Sequence, residues 1–234
     1  MSMTPRERAR EQTMTEIVAI GRKHLATEGA AALSLRAVAR DLGVVSSAVY
    51  RYVANRDELL TLLLVDAYTE LGDEVDQAVD SIDADDYAAR FRALGRTVRS
   101  WALREPARYA LLFGSPVPGY HAPSEETTTP GTRVIATLTR LFTQAYGAGA
   151  LREDDLPAPR MSGRFSADVR AVRQEMTLEI PDHLVVRGVL VWAALFGAVN
   201  FEVFGQYGHD TFSDPEELFE HHLAALAGLI GLQS

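Results

Sequence analysis

The sequence predicts an all-α protein, a three-helix head followed by a larger helical body. Three observations lead there. Apolar residues recur at spacings of three, four and seven along most of the chain, as on a helix with one buried face. Between Ser34 and Leu60 the run SLRAVARDLGVVSSAVYRYVANRDELL reads as two short helices around a tight turn at Gly43, with a third beginning. No segment shows the alternation of a convincing strand, and no internal repeat is visible.

The first helix is expected over residues 8–28, with Met14, Ile17, Val18, Gly21 and Leu25 facing inward and Gly29 at its end. Leu35, Val38, Ala39 and Leu42 place the second helix, whose free N–H groups Ser34 can cap. Gly43 can take the left-handed backbone that reverses the chain. Ser46, Ser47, Tyr50 and Arg51 then fall on a polar helix too short to be stable alone. A polar helix held at a fixed angle by an apolar one is the plan of a helix-turn-helix that offers its second helix to the DNA major groove.

Asn55 or its neighbour caps a long helix over 56–81, with Leu59, Leu60, Leu63, Ala67 and Leu71 on its apolar face. Asp83 or Asp85 opens the next, through Phe91, Leu94, Val98, Trp101 and Leu103, and Pro106 breaks it. A short helix holds Tyr109, Leu112 and Phe113. The segment GSPVPGYHAPSEETTTPG, punctuated by Pro and Gly, is expected to be a loop, with a helix over 131–146 after it. A second loop, GAGALREDDLPAPRMSG, precedes a helix over 166–179. Pro181 and Asp182 start a long apolar helix through Trp192 to Tyr207. Asp214, Pro215 and Glu217 mark the start of the last helix, which runs to about Leu232. Residues 1–55 are expected to form the head and 56–234 the body.

Hydrophobic residues make up 47% of the 234, which argues against global disorder. Cysteine is absent, so disulfides, a thiolate nucleophile and cysteine metal sites are excluded. The start, MSMTPRERAR, has no apolar stretch behind it and is not a secretory signal. The longest apolar run, GVLVWAALFGAV over 188–199, is shorter than the roughly 20 residues a bilayer requires. A soluble cytoplasmic protein, without a membrane segment, is expected. The net charge of −9 is unevenly spread: residues 1–60 hold nine basic and seven acidic side chains, the remainder 14 and 25. A mildly basic head on an acidic body can approach phosphate if the body faces away.

The run from Gly43 to Leu60 resembles the Tet repressor family. Gly43, Val44, Val49, Tyr50, Tyr52, Val53, Arg56, Leu59 and Leu60 meet its pattern without insertion. Val45 stands where that family often has a capping Ser or Thr, and Val53 where Phe is commoner. The resemblance implies DNA-binding roles for Ser34, Arg36, Ser46, Ser47, Ala48, Tyr50, Arg51, Tyr52 and Arg56. Arg36, Tyr50, Tyr52 and Arg56 suit phosphate, Arg51 suits a guanine edge, and Ala48 a thymine methyl. Plainer readings stand beside these: Tyr50 as a core aromatic, Arg51 as a solvated charge, Ser46 as a helix cap.

Further along, WAALFGAVNFEVFG resembles the C-terminal helix of one subgroup, with Trp192, Gly197 and Glu202 as the recurring positions. The resemblance implies a homodimer on a palindromic operator, joined through a four-helix bundle. Trp192, Leu218, Phe219, Leu223, Leu226 and Ile230 are the expected interface. It also implies a small-molecule effector in the body, linked to the head by the helix over 56–81. Trp101, Tyr109, Phe113, Phe142, Phe165, Phe196, Asn200 and Phe201 are the candidate pocket, whose apolar character points to a hydrophobic ligand. Aromatics at helical spacing are also what a plain core shows. Repression is expected, with constitutive DNA binding or activation as the alternative.

Enzyme chemistry finds little support. There is no Gly-x-Ser-x-Gly elbow and no Gly-rich phosphate loop. His221 and His222 are adjacent and point to different helix faces, a poor metal pair. Glu153, Asp154 and Asp155 read as a solvated acidic loop, and the cluster Asp83, Asp85 and Asp86 as a helix cap. No metal and no cofactor are expected.

Overall fold

The computed structural model describes residues 4–152 and 160–232. Among these, regular structure is helical apart from an isolated antiparallel bridge between Leu151 and Leu232. The acidic run Glu153–Asp155 lies outside the described residues.

Helix α1 spans Pro5–Glu28, three residues longer at its start than the periodicity predicts. The cause is a capping box. Thr4 Oγ1 accepts from the Glu7 amide at 3.3 Å, and the Thr4 amide donates to Glu7 Oε2 at 2.7 Å. Gly29, at φ 77°, ends the helix, and a 3-10 turn, Ala30–Ala32, leads to α2, Leu35–Asp41. Ser34 occupies the N-cap of α2, but its side chain caps nothing, contrary to the sequence expectation. Gly43 does take the left-handed backbone, φ 74°, before α3, Ser46–Val49. Helix α4, Arg56–Asp80, starts as predicted: Asn55 Oδ1 accepts from the Glu58 amide at 2.9 Å.

The chain forms two compact units. The first holds the described residues up to Glu70 together with Arg104–Gly131, and so includes α6, Pro106–Phe113, and α7, Ser124–Gly131. Its core gathers Ile17, Leu25, Leu35, Val38, Val49, Val53, Leu59, Leu60 and Leu63. Gly21 lets Leu63 approach: a Cβ there would lie 3.2 Å from a Leu63 methyl. Ala107, Leu111, Val117 and Tyr120 also cover this core.

Helix α7 falls within the Pro- and Gly-rich segment whose composition predicts a loop. Its first turn is held at the Pro123 carbonyl, which accepts the Thr127 amide at 3.1 Å and its hydroxyl at 2.8 Å. Glu125 and Glu126 suit the positive helix end. Pro130 sits in the last turn of this short helix, where its missing amide costs little.

The second unit holds Leu71–Leu103 and the described residues from Thr132 onward. Besides the end of α4 it contains most of α5, Tyr87–Arg104, then α8, Arg133–Gly147, α9, Gly163–Glu175, α10, Asp182–Val203, and α11, Pro215–Ile230. Asp86 caps α5, accepting from the Ala89 amide at 2.9 Å, so neither Asp83 nor Asp85 is the cap. Helix α10 stops at Val203, short of the expected Tyr207, because Gly205 turns the chain at φ 67°. Asp214 caps α11 as predicted, accepting from the Glu217 amide at 2.9 Å.

At 22 residues, α10 is long and apolar enough by composition to cross a membrane, although its uninterrupted apolar run is not. In this fold it packs on α8, α9 and α11. Leu184, Val185, Val191, Leu195, Phe196 and Val199 form its buried face.

Four of the six expected interface residues are buried within the protomer. Phe219, Leu223, Leu226 and Ile230 turn inward, and Leu223 lies against Gly95 of α5. The periodicity correctly marks an apolar face but cannot say whether the same chain covers it. Leu218 is half-buried, and Trp192 remains exposed.

Candidate nucleic-acid interface

Four residues form α3, and the chain beyond it tightens into a narrower turn rather than straightening at once. The Tyr52 amide donates to the Val49 carbonyl at 2.8 Å, and the Val53 amide to the same carbonyl at 3.0 Å. Val49 and Val53 are fully buried in the head core and fix the rotation of this segment. That rotation turns Ser47, Tyr50 and Arg51 outward, with Ser46, Ala48 and Tyr52 half-buried at the sides. Tyr50 is 47% exposed, which decides against the reading as a core aromatic. Arg36, on the outer side of α2, is exposed as well.

Two sequence expectations change here. Arg56 is not simply a charge held out toward phosphate. Its Nη2 donates to the Ala30 carbonyl at 2.9 Å and to the Ala31 carbonyl at 3.3 Å, tying the start of α4 to the 3-10 turn. Helix α3 begins without a side-chain cap, since Val45 holds the N-cap and Ser46 does not take over. Val44, which meets the family pattern, is 40% exposed, and Val45, at the position of the missing cap, is 70% exposed. Two exposed valines at the mouth of a polar helix are an apolar contact surface that the sequence reading misses.

It misses His24 too. Although buried, His24 places Nε2 2.7 Å from Asp41 Oδ2 and joins α1 to the end of α2. That hydrogen bond holds the Asp41 carboxyl below its ordinary range. The signal in the sequence is its position among Gly21 and Leu25 on the inward stripe.

The eight pocket candidates have different fates. Tyr109 and Phe113 lie in the first unit with ring centroids 5.0 Å apart; Tyr109 is fully buried, and burial pushes its hydroxyl pKa up. The others belong to the second unit. Trp101 and Phe142 are core residues, and the Phe142 ring lies tilted beside Phe91, centroids 6.1 Å apart. Phe196 meets Trp192 edge-on at 6.5 Å. Phe165 and Phe201 are about half exposed. Asn200 is half-buried, and its Oδ1 is shut off from solvent with no hydrogen-bond partner among the described residues. A cavity of about 360 Å³ between α10 and α11 includes Phe201 with Ala194, Gly197, Ala198, Tyr207 and His222. No group of three or more potential metal ligands occurs among the described residues.

Residues 91–226 match the family described as "Tetracyclin repressor-like, C-terminal domain". The HTH-type transcriptional regulator Rv1816 of Mycobacterium tuberculosis is 48% identical over 225 residues, covering 96% of this chain and 95% of that one. The crystal structure of the regulatory protein SCO4313 is similar at a TM-score of 0.77 and 35% identity, over 96% of this chain and 100% of that one. RolR, solved in complex with resorcinol, shares the fold at a TM-score of 0.55 and 15% identity, over 97% and 91% of the two chains. An exposed polar helix set by two buried valines, an all-helical body and relatives along nearly the whole length agree: the chain belongs to the TetR family of DNA-binding transcriptional regulators, which are not enzymes.

Proposed function

We propose that this protein is a repressor that binds a two-fold symmetric operator as a homodimer and leaves it when a small hydrophobic effector binds. The observation that carries the DNA reading is the outward set Ser47, Tyr50 and Arg51 on a segment rotated by buried Val49 and Val53. Arg51 reads a guanine edge through two parallel hydrogen bonds. Tyr50 and Tyr52 bring hydroxyls to phosphate, Arg36 adds a charge beside them, and Ala48 meets a thymine methyl. Ser46 and Ser47 face the groove, Ser34 adds a hydroxyl at the start of α2, and Arg56 ties the start of α4 to the 3-10 turn. In this reading residues 1–55 bind DNA and 56–234 sense and dimerise.

The dimer reading is supported by the outer side of α10. Leu190 and Phe201 are about half exposed, and Ala193 and Gly197 lie between them at helical spacing. A Cβ added at Gly197 meets nothing within 4 Å, so a second helix has room to approach closely. Ala225 of α11 extends this exposed face. Such a surface suits an isologous contact, in which each subunit offers the same patch.

Effector sensing is supported by Asn200, whose orphaned Oδ1 can be satisfied by a polar group on a ligand. That RolR, which shares the fold, was solved with resorcinol supports a small-molecule ligand here. Release requires that the ligand prefer one head spacing over another, by a coupling of typically about 1–3 kcal/mol. Such a regulator works in the cytoplasm, where its operator is.

Selection of bound duplexes from a random pool, at stated salt, tests the reading. A two-fold symmetric consensus is expected, and failure to enrich any sequence refutes it. A reporter assay with and without the protein then gives the sign of regulation.

A further inference from the structure

We propose that the first turns of α1 belong to the DNA interface, with Arg10 and Arg6 forming a phosphate clamp beside Tyr52. The proposal rests on the DNA reading of the head and adds residues to it.

Residues 4–12 are all exposed, and the buried stripe of α1 begins only at Ile17. At about 1.5 Å per residue, the helix runs on the order of 14 Å from Pro5 before Met14 packs on the core. Core packing does not account for that length. Nor is the helix end itself the feature on offer, because Thr4 and Glu7 already satisfy each other's groups there. What the extension presents is side chains: Arg6, Arg8 and Arg10 against Glu7, which is engaged in the cap, and Glu11.

Arg6 and Arg10, four residues apart, share one face of the helix, and Arg8 lies on the opposite one. The Arg10 guanidinium carbon sits 5.5 Å from the centroid of the Tyr52 ring. Tyr52 is itself half-buried against the head core and adjoins Arg51. The α1 arm is thus joined to the candidate interface by a cation–π contact. The ring holds the charge in place while the guanidinium N–H groups can still reach a phosphate oxygen. The Tyr52 hydroxyl and the Arg10 guanidinium then address neighbouring backbone phosphates, and Arg6 extends the track by one helical turn. These contacts position the head without reading sequence.

The test uses the full chain and a mixed-sequence DNA duplex, with affinity measured across several salt concentrations. Each neutralised phosphate contributes about 0.9 to the slope of log affinity against log salt. Arg10→Gln is expected to make the slope shallower by about one per protomer. Arg8→Gln removes the same charge from the opposite face and is expected to leave the slope unchanged. Arg10→Lys keeps the charge without the forked guanidinium and is expected to keep the slope while binding more weakly. Melting followed by circular dichroism reports folding, and Arg6→Gln, which has no ring contact to lose, repeats the slope test if Arg10→Gln does not fold. Equal slope changes for Arg10→Gln and Arg8→Gln, or no change for Arg10→Gln, overturn the clamp and leave the head reading intact. Absence of salt-dependent binding by the unaltered protein overturns both.

Discussion

Arg99 and Glu202 meet in a two-bond fork, Nε to Oε2 and Nη2 to Oε1, each at 2.7 Å. Both side chains are only 15% exposed, and the Arg99 guanidinium also lies 5.6 Å from the centre of the Phe219 ring. One arginine of α5 therefore holds α10 and α11 together. This gives Glu202, near the end of an otherwise apolar helix, a structural reason to be charged.

Removing either partner strands the other in a largely desolvated place. Arg99→Ala or Glu202→Gln is expected to cost about 2 kcal/mol, somewhat below the cost of breaking a fully buried pair. The shift of the urea midpoint measures it. A loss within experimental error makes the fork a surface pair of no consequence.

For Arg56 the structure predicts a loss of stability. Arg56→Ala removes two donors from the Ala30 and Ala31 carbonyls and is expected to cost about 1–2 kcal/mol. The salt slope of DNA binding should hardly move. A shallower slope with unchanged stability would restore Arg56 as a phosphate contact.

The proposed roles of Tyr50 in positioning and Arg51 in reading can be separated. Tyr50→Phe is expected to weaken binding to all operator variants alike, through loss of a phosphate hydroxyl. Arg51→Ala is expected to relax preference at one base position by about 1–3 kcal/mol. Competition assays on single-base operator variants decide it. Equal losses on every variant for Arg51→Ala would remove its base-reading role.

Two apolar substitutions distinguish core from interface. Leu223 is fully buried, so Leu223→Ala is expected to destabilise the protein by about 2–5 kcal/mol. Leu190 is 53% exposed, so Leu190→Glu is expected to leave the protomer folded and to dissociate the dimer. Sedimentation velocity beside thermal melting reads both. An intact dimer of Leu190→Glu places the subunit contact elsewhere.

Acid should loosen α11. Hydrogen bonding from Arg96, at 2.5 and 2.7 Å, holds the Glu220 carboxyl below its ordinary value of 4.5. The folded-state value is therefore lower than the unfolded one. The pair contributes stability above that ordinary value and loses it as pH falls through the lowered one. Glu220→Gln is expected to flatten this part of the profile of melting temperature against pH. An unchanged profile assigns the acid sensitivity to other carboxylates, such as Asp41 beside His24.

Much of the head is legible in the sequence because its signals are local. Gly43 takes the predicted left-handed backbone, and the same locality lets Asn55 and Asp214 cap the predicted helices. A cap or a glycine turn involves residues three or four apart, so adjacent sequence contains both partners. Where local chemistry misleads, a distant or unweighed partner is responsible. Ser34 holds the right backbone position but its side chain caps nothing, and Thr4 caps a helix whose start the periodicity places later. Helix α7 forms in a stretch rich in Thr, Pro and Gly, with its end Gly131 against the Tyr68 ring.

By itself the sequence determined the helical class and the order of most elements, because periodicity, caps and glycine turns are properties of neighbours along the chain. Only the tertiary structure decided which apolar faces are spent inside the protomer. Leu223 and Trp192 lie on equally apolar helices, yet one is buried against α5 and the other is left outside. It also decided that Arg56 serves a turn and that Arg10 lies over the Tyr52 ring. Burial and pairing depend on what another segment brings near, and residues 26 or 42 positions apart carry no mark of that in their spacing.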